Sequence, residues 1–192
     1  MLGLGNSLLA PNIRYELTNS YTSDFTSDID GFAPFSIQNS STDLTLTANN
    51  NPYDDLGGSA PNSDGWLKGV YGVTQTNSSG IRRITSDYQT APGDFSNVSY
   101  KMYIFDDSNN YWENYFGGVL VSTFFASGTN PGSRGIDVSK NTESQIEWKI
   151  FNNPILSSFQ LTLTFSYPLS HPQAGAVFYI KDVLTKTYRL LG

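Results

Sequence analysis

The feature that most constrains this chain is a period-two alternation of apolar and polar residues. In DLTLTA, Leu44 and Leu46 alternate with Thr45 and Thr47. In NVSYKMYIF, Val98, Tyr100, Met102 and Ile104 fall on one side, and Ser99, Lys101 and Tyr103 on the other. In FQLTLTFS, Leu161, Leu163 and Phe165 alternate with Thr162, Thr164 and Ser166. Successive side chains of a strand point to opposite faces, so each stretch reads as a half-buried strand with its apolar side inward. Helical periodicity is nearly absent. Further strands are expected at 13–18, 66–73, 80–86, 117–125, 145–151 and 176–185. Between them lie turn-rich stretches such as NNNPYDDLGGSAPNSDG, TAPGD, DDSNN and ASGTNPGSRG. About nine or ten strands with that punctuation predict an all-β fold, an antiparallel β-sandwich or jelly roll.

The 192 residues suffice for one domain with a sizeable core. No repeat or long polar linker divides them, so a single jelly-roll domain is expected over 13–192, preceded by an arm over 1–12. Aromatic residues make up 14% of the chain and charged residues only 15%, which suits strands with Thr and Ser on their wet faces. The net charge is −6, and Arg82-Arg83 is the only adjacent basic pair. A nucleic-acid partner normally needs a basic stripe, so none is expected. Without cysteine, disulfides contribute nothing to stability.

Several stretches, in order, resemble the carbohydrate-binding-module branch of the galactose-binding-like jelly rolls. They are DFTSDIDGFAPFSIQNSSTDLTLTA, DGWLKGVYGV, GIRRITSDYQTAPGDFSNVSYKMYIF and the closing AGAVFYIKDV. Together they span about Asp24 to Leu184, most of the chain. The resemblance implies the jelly-roll fold. It also implies a structural calcium held by Asp182 of the closing motif, with Glu16 or Asp24 as partner. Where the family pattern has two aspartates, this chain has Lys181-Asp182, which sets a cation beside the expected site.

Catalytic motifs are missing. His171 is the single histidine, and neither a nucleophile elbow nor a zinc-binding helix nor a P-loop occurs. Glu113, Glu143 and Glu147 could serve a glycosidase only as a suitably spaced pair, and Glu147 in QIEWKIF is expected to face solvent. The Asp54, Asp55, Asn62 and Asp64 group lacks the spacing of an EF-hand and reads as a solvated turn. No enzyme is expected. Glycan binding fits better, because sugars stack on aromatic rings and their hydroxyls bond to amides and carboxylates. NNYWENYFGG concentrates Tyr111, Trp112 and Tyr115 with Glu113 and Asn114, and Trp66 with Tyr71 forms a second aromatic group.

The opening MLGLGNSLLAPN carries no charge ahead of its leucines and is broken by Gly3, Gly5 and Asn6, unlike a signal peptide. It is also too short to cross a bilayer. It suits a docking arm, with Leu2, Leu4, Leu8 and Leu9 filling a groove on a neighbouring subunit, or an added strand of its own sandwich. The opening is similar to the starts of small lectin-like virion proteins of tailed bacteriophages. The leading expectation is therefore a bacteriophage virion structural protein: a capsid decoration, fibre or tail component made in the host cytosol. Its expected partners are other virion proteins, copies of itself and host-surface glycans. The alternative is a free-standing carbohydrate-binding module, and a glycoside hydrolase or lyase using Glu113 comes last.

Overall fold

A computed structural model of the chain describes residues 13–35, 44–72, 83–86, 89–107, 112, 118–125, 133–159, 161–165 and 173–191. Among these lie eleven strands and one short helix: β1 (Arg14–Ser23), β2 (Ala33–Phe35), β3 (Leu44–Asn50), α1 (Pro52–Leu56), β4 (Trp66–Tyr71), β5 (Arg83–Thr85), β6 (Gln89–Phe105), β7 (Gly118–Phe125), β8 (Ser133–Ser139), β9 (Ser144–Phe159), β10 (Leu161–Phe165) and β11 (Val177–Leu191). They form two antiparallel sheets. One runs β3-β4-β11-β6-β9 with β1 also on β11, and the other runs β2-β5-β10-β7-β8. The expected all-β sandwich is the fold observed.

The alternation dictates where the core lies. Val98, Tyr100, Met102 and Ile104 of β6 are buried, as are Leu161 and Leu163 of β10, in one cluster that also holds Leu67, Phe178, Ile180 and Val183. Each such side chain contributes about 1.5–3 kcal/mol on leaving water. Close approach between strands is set by Gly69, where an added Cβ would lie 2.1 Å from Phe178 Cζ. The ring of Phe178 therefore lies across the glycine backbone of its neighbour strand, its own register partner.

Three sequence expectations change. TAPGD is not a turn but part of β6, which accommodates Pro92 and Gly93 through register shifts on either side of Gly93. The strands β9 and β11 run well past their expected ends, to Phe159 and Leu191. Strand β8 begins within ASGTNPGSRG, read as turn, and runs on through IDVS, where only Ile136 and Val138 offer an apolar alternation.

Candidate functional site

The outer face of the six-stranded sheet is divided by what covers it. On β6 this face carries Phe95, Asn97, Ser99, Lys101 and Tyr103, the positions between the core residues. One half is roofed by the segment around α1. Asn51 caps that helix, its side chain accepting from the Tyr53 N–H at 3.1 Å, and Pro52 fits the first turn. Beneath it, Trp66, Tyr103, Tyr179 and Ala60 form a second buried cluster against Leu56. The Tyr179 hydroxyl donates to Asp55 Oδ2 at 2.9 Å, and Lys68 Nζ donates to the same oxygen at 2.7 Å. Burial pushes the Asp55 carboxyl up, but the bonds from Lys68 and Tyr179 outweigh it and hold the group below its ordinary value. Burial, with the Asp55 carboxylate beside it, pushes the Tyr179 phenol up.

The next rung marks the border of the roof. Lys101 pairs with Asp182 at 3.1 Å and reaches Glu143 at 4.0 Å. The bond to Asp182 raises the Lys101 ammonium above its ordinary value. Asp182 sits at a bulge of β11 with φ of 53°, between Lys181 and Leu184 where the register shifts.

Beyond this border no described residue roofs the face. Glu147, Ser99 and Leu184 form one rung across β9, β6 and β11, and Lys149, Asn97 and Lys186 form the next. These residues line a cleft of about 370 Å³, with Val98 and Trp148 of the same strands contributing to its wall. Phe95 stacks on Tyr188 at 4.9 Å and meets the edge of Tyr15 at 4.8 Å, closing the far end with an aromatic group. Lys149 Nζ stands 3.9 Å above the Phe95 ring, a cation–π contact that fixes the ammonium at the cleft rim. The described residues of the cleft thus offer a carboxylate, two ammonium groups, an amide and a hydroxyl, enough to satisfy several ligand hydroxyls at once.

The residues singled out from sequence fall differently. Trp112 is 2% exposed and packs edge-on against Tyr71 at 5.9 Å, while Trp66 and Tyr71 are fully buried. These three are core and roof rather than platforms, since a ring without exposed faces cannot stack on a sugar. Trp112 has polar neighbours in sequence, yet its carbonyl is held by Lys140 Nζ at 3.4 Å, and Lys140 also pairs with the buried Asp106. Tyr111, Glu113, Asn114 and Tyr115 lie outside the described residues, as do Leu2, Leu4, Leu8 and Leu9.

The expected calcium ligands are not gathered. Glu16 lies opposite Arg189, seven residues from Asp182 and so roughly 23 Å along the strand. Asp24 follows the Ser23–Val183 pair near Asp182, but its Oδ1 accepts from the Thr26 N–H at 3.0 Å and hydroxyl at 2.8 Å. Lys181 reaches the Asp64 carbonyl at 2.5 Å and Ser63 at 3.2 Å, placing an ammonium where the loop would offer oxygens. Calcium takes about six to eight oxygens, and among the described residues no group of three acidic, His or Cys side chains gathers to hold a metal. The residues as placed do not fit a calcium ion.

Sequence reasoning missed Asn97, Ser99, Lys149, Leu184 and Lys186. Their one signal was the polar phase of the alternation, which marks a wet face without saying which strands share it. Glu147 was expected to face solvent and does.

No family model matches the chain, and no curated protein matches it. Solved structures do. The xylan-binding domain CBM22-1 of Xyn10C from Paenibacillus barcinonensis is 9% identical with a TM-score of 0.52, covering 88% of this chain and 92% of its own. A family 61 carbohydrate-binding module, solved with β-1,4-galactotriose, is 11% identical with a TM-score of 0.51, covering 85% of this chain and 92% of its own. The K1 adhesin domain of Lys-gingipain from Porphyromonas gingivalis is 8% identical with a TM-score of 0.51, covering 88% of this chain and 98% of its own. At such identities the likeness is one of fold: this chain has the jelly-roll sandwich of carbohydrate-binding modules.

Proposed function

We propose that the chain is a non-catalytic carbohydrate-binding module whose ligand lies in the open cleft of the six-stranded sheet. The observation that carries this reading is the convergence of Asn97, Ser99, Glu147, Lys149 and Lys186 on one cleft of about 370 Å³. That set can donate to and accept from the hydroxyls of a neutral oligosaccharide, while Leu184 supplies an apolar patch on the floor. Among the described residues Glu147 is the one carboxylate lining the cleft. Glycoside hydrolysis ordinarily uses a pair of carboxylates, and the single one in the described lining supports holding a sugar. The fold neighbours, one xylan-binding and one bound to a galactotriose, support a saccharide ligand. They favour the carbohydrate-binding module over the virion component, to which they lend nothing.

A glycan array that includes xylo- and galacto-oligosaccharides, run with the full chain, tests the reading. Binding to a defined set of sugars, lost on Glu147→Gln and on Asn97→Ala, is expected. Binding to no sugar, or binding indifferent to both substitutions, contradicts it.

A further inference from the structure

The end of the β1–β11 ribbon is exposed on both faces. Thr185 and Thr187 of β11 point inward and are buried, but Arg189 and Leu191, of the same phase, are exposed. The opposite phase is equally bare: Ile13 is 59%, Tyr15 45%, Leu17 50% and Leu190 49% exposed. Among the described residues β11 is the only strand that pairs with β1, so over residues 13–17 the other edge of β1 meets no described strand. On the far side of the ribbon, the Leu190 N–H is satisfied by Asp94 Oδ2 at 2.6 Å. Among the described residues, that leaves the stretch 13–17 as the open edge of the ribbon. An open, apolar edge strand is a template for another strand.

The sequence of this edge names its occupant. Ile13-Arg14-Tyr15-Glu16-Leu17 reads symmetrically about Tyr15: apolar, charged, aromatic, oppositely charged, apolar. We propose that β1 pairs antiparallel with β1 of a second copy of this chain, about a two-fold axis through Tyr15. In that register Arg14 faces the partner's Glu16, Glu16 faces the partner's Arg14, and Ile13 faces the partner's Leu17. Opposite charges and apolar pairs directly across an antiparallel ladder stabilise it, whereas like charges there oppose it. A two-fold axis makes the contact self-complementary and closed, so the product is a dimer and not a fibre. The axis runs perpendicular to the sheet, so the two six-stranded sheets become one and both clefts open on the same side. Two sites on one face would engage a polymeric ligand with avidity. The dimer stands on the edge alone and does not depend on what the cleft binds.

Sedimentation velocity of the full chain over a concentration series tests this, with near-UV circular dichroism to confirm the fold of each variant. The wild type is expected to pass from one chain to two as concentration rises. Glu16→Arg, and separately Arg14→Glu, set like charges across both ends of the seam and are expected to weaken dimerisation by at least about tenfold. The double reversal Arg14→Glu with Glu16→Arg restores both pairs and is expected to recover the dimer. A chain that stays single at every concentration overturns the proposal. So does a dimer indifferent to the single reversals, or a double reversal that associates no better than either single one.

Discussion

The Tyr179 hydroxyl donates to Asp55 Oδ2 at 2.9 Å, across 124 residues of sequence, and so pins the α1 segment onto the outer face of the sheet. Lys68 completes the contact from β4 at 2.7 Å. Together they decide which half of that face is covered and which is left for a ligand. The bonds hold the Asp55 carboxyl below its ordinary value. A carboxyl lowered in the folded state stabilises it above the unfolded value, near pH 4, and loses that contribution as pH falls through the folded value. Asp55→Asn is therefore expected to lower thermal stability at pH 7 and to have little effect at pH 2. The size is about 1 kcal/mol or less, because the pair is partly solvated. Melting curves of both proteins across this range check it.

Gly69 is expected to resist substitution. A Cβ there would stand 2.1 Å from Phe178 Cζ, against an aromatic ring packed in the core. Gly69→Ala is expected to cost about 1–3 kcal/mol by overpacking. Pairing it with Phe178→Leu, which withdraws the ring, should recover part of that loss. Urea unfolding of the single and double variants measures the coupling; strictly additive effects would contradict the contact.

Trp112→Ala separates core from platform. With the ring buried against Tyr71, its removal is expected to destabilise the chain by about 3–5 kcal/mol. A variant that keeps wild-type stability in chemical unfolding and loses only sugar binding would contradict that placement.

The fold was legible in the sequence because alternation is a local signal. Val98, Tyr100, Met102 and Ile104 announce a buried face within seven residues, and the structure buries all four. The second covered surface was not legible. Tyr103 belongs to the polar phase of its strand by position, yet it is buried because residues 51–65 fold over it, and that contact is long-range. Trp112 was misread for a related reason: the polarity of its neighbours describes their side chains and not the direction of its own. The cleft was hidden by topology. Residues near positions 97, 147 and 186 meet only because β9, β6 and β11 lie side by side in a non-sequential order, with their rungs fixed by antiparallel register. Nothing within any one of those segments records that order.

Isothermal titration of the full chain with an oligosaccharide drawn from the array is the most direct test of the central claim. Three variants accompany the wild type: Glu147→Gln and Lys149→Ala in the cleft, and Lys68→Ala under the roof. The cleft variants are expected to weaken binding by about tenfold or more, the loss of one or two hydrogen bonds, and Lys68→Ala is expected to leave it unchanged. Affinity that survives both cleft substitutions at the wild-type level would place the ligand elsewhere and contradict the account.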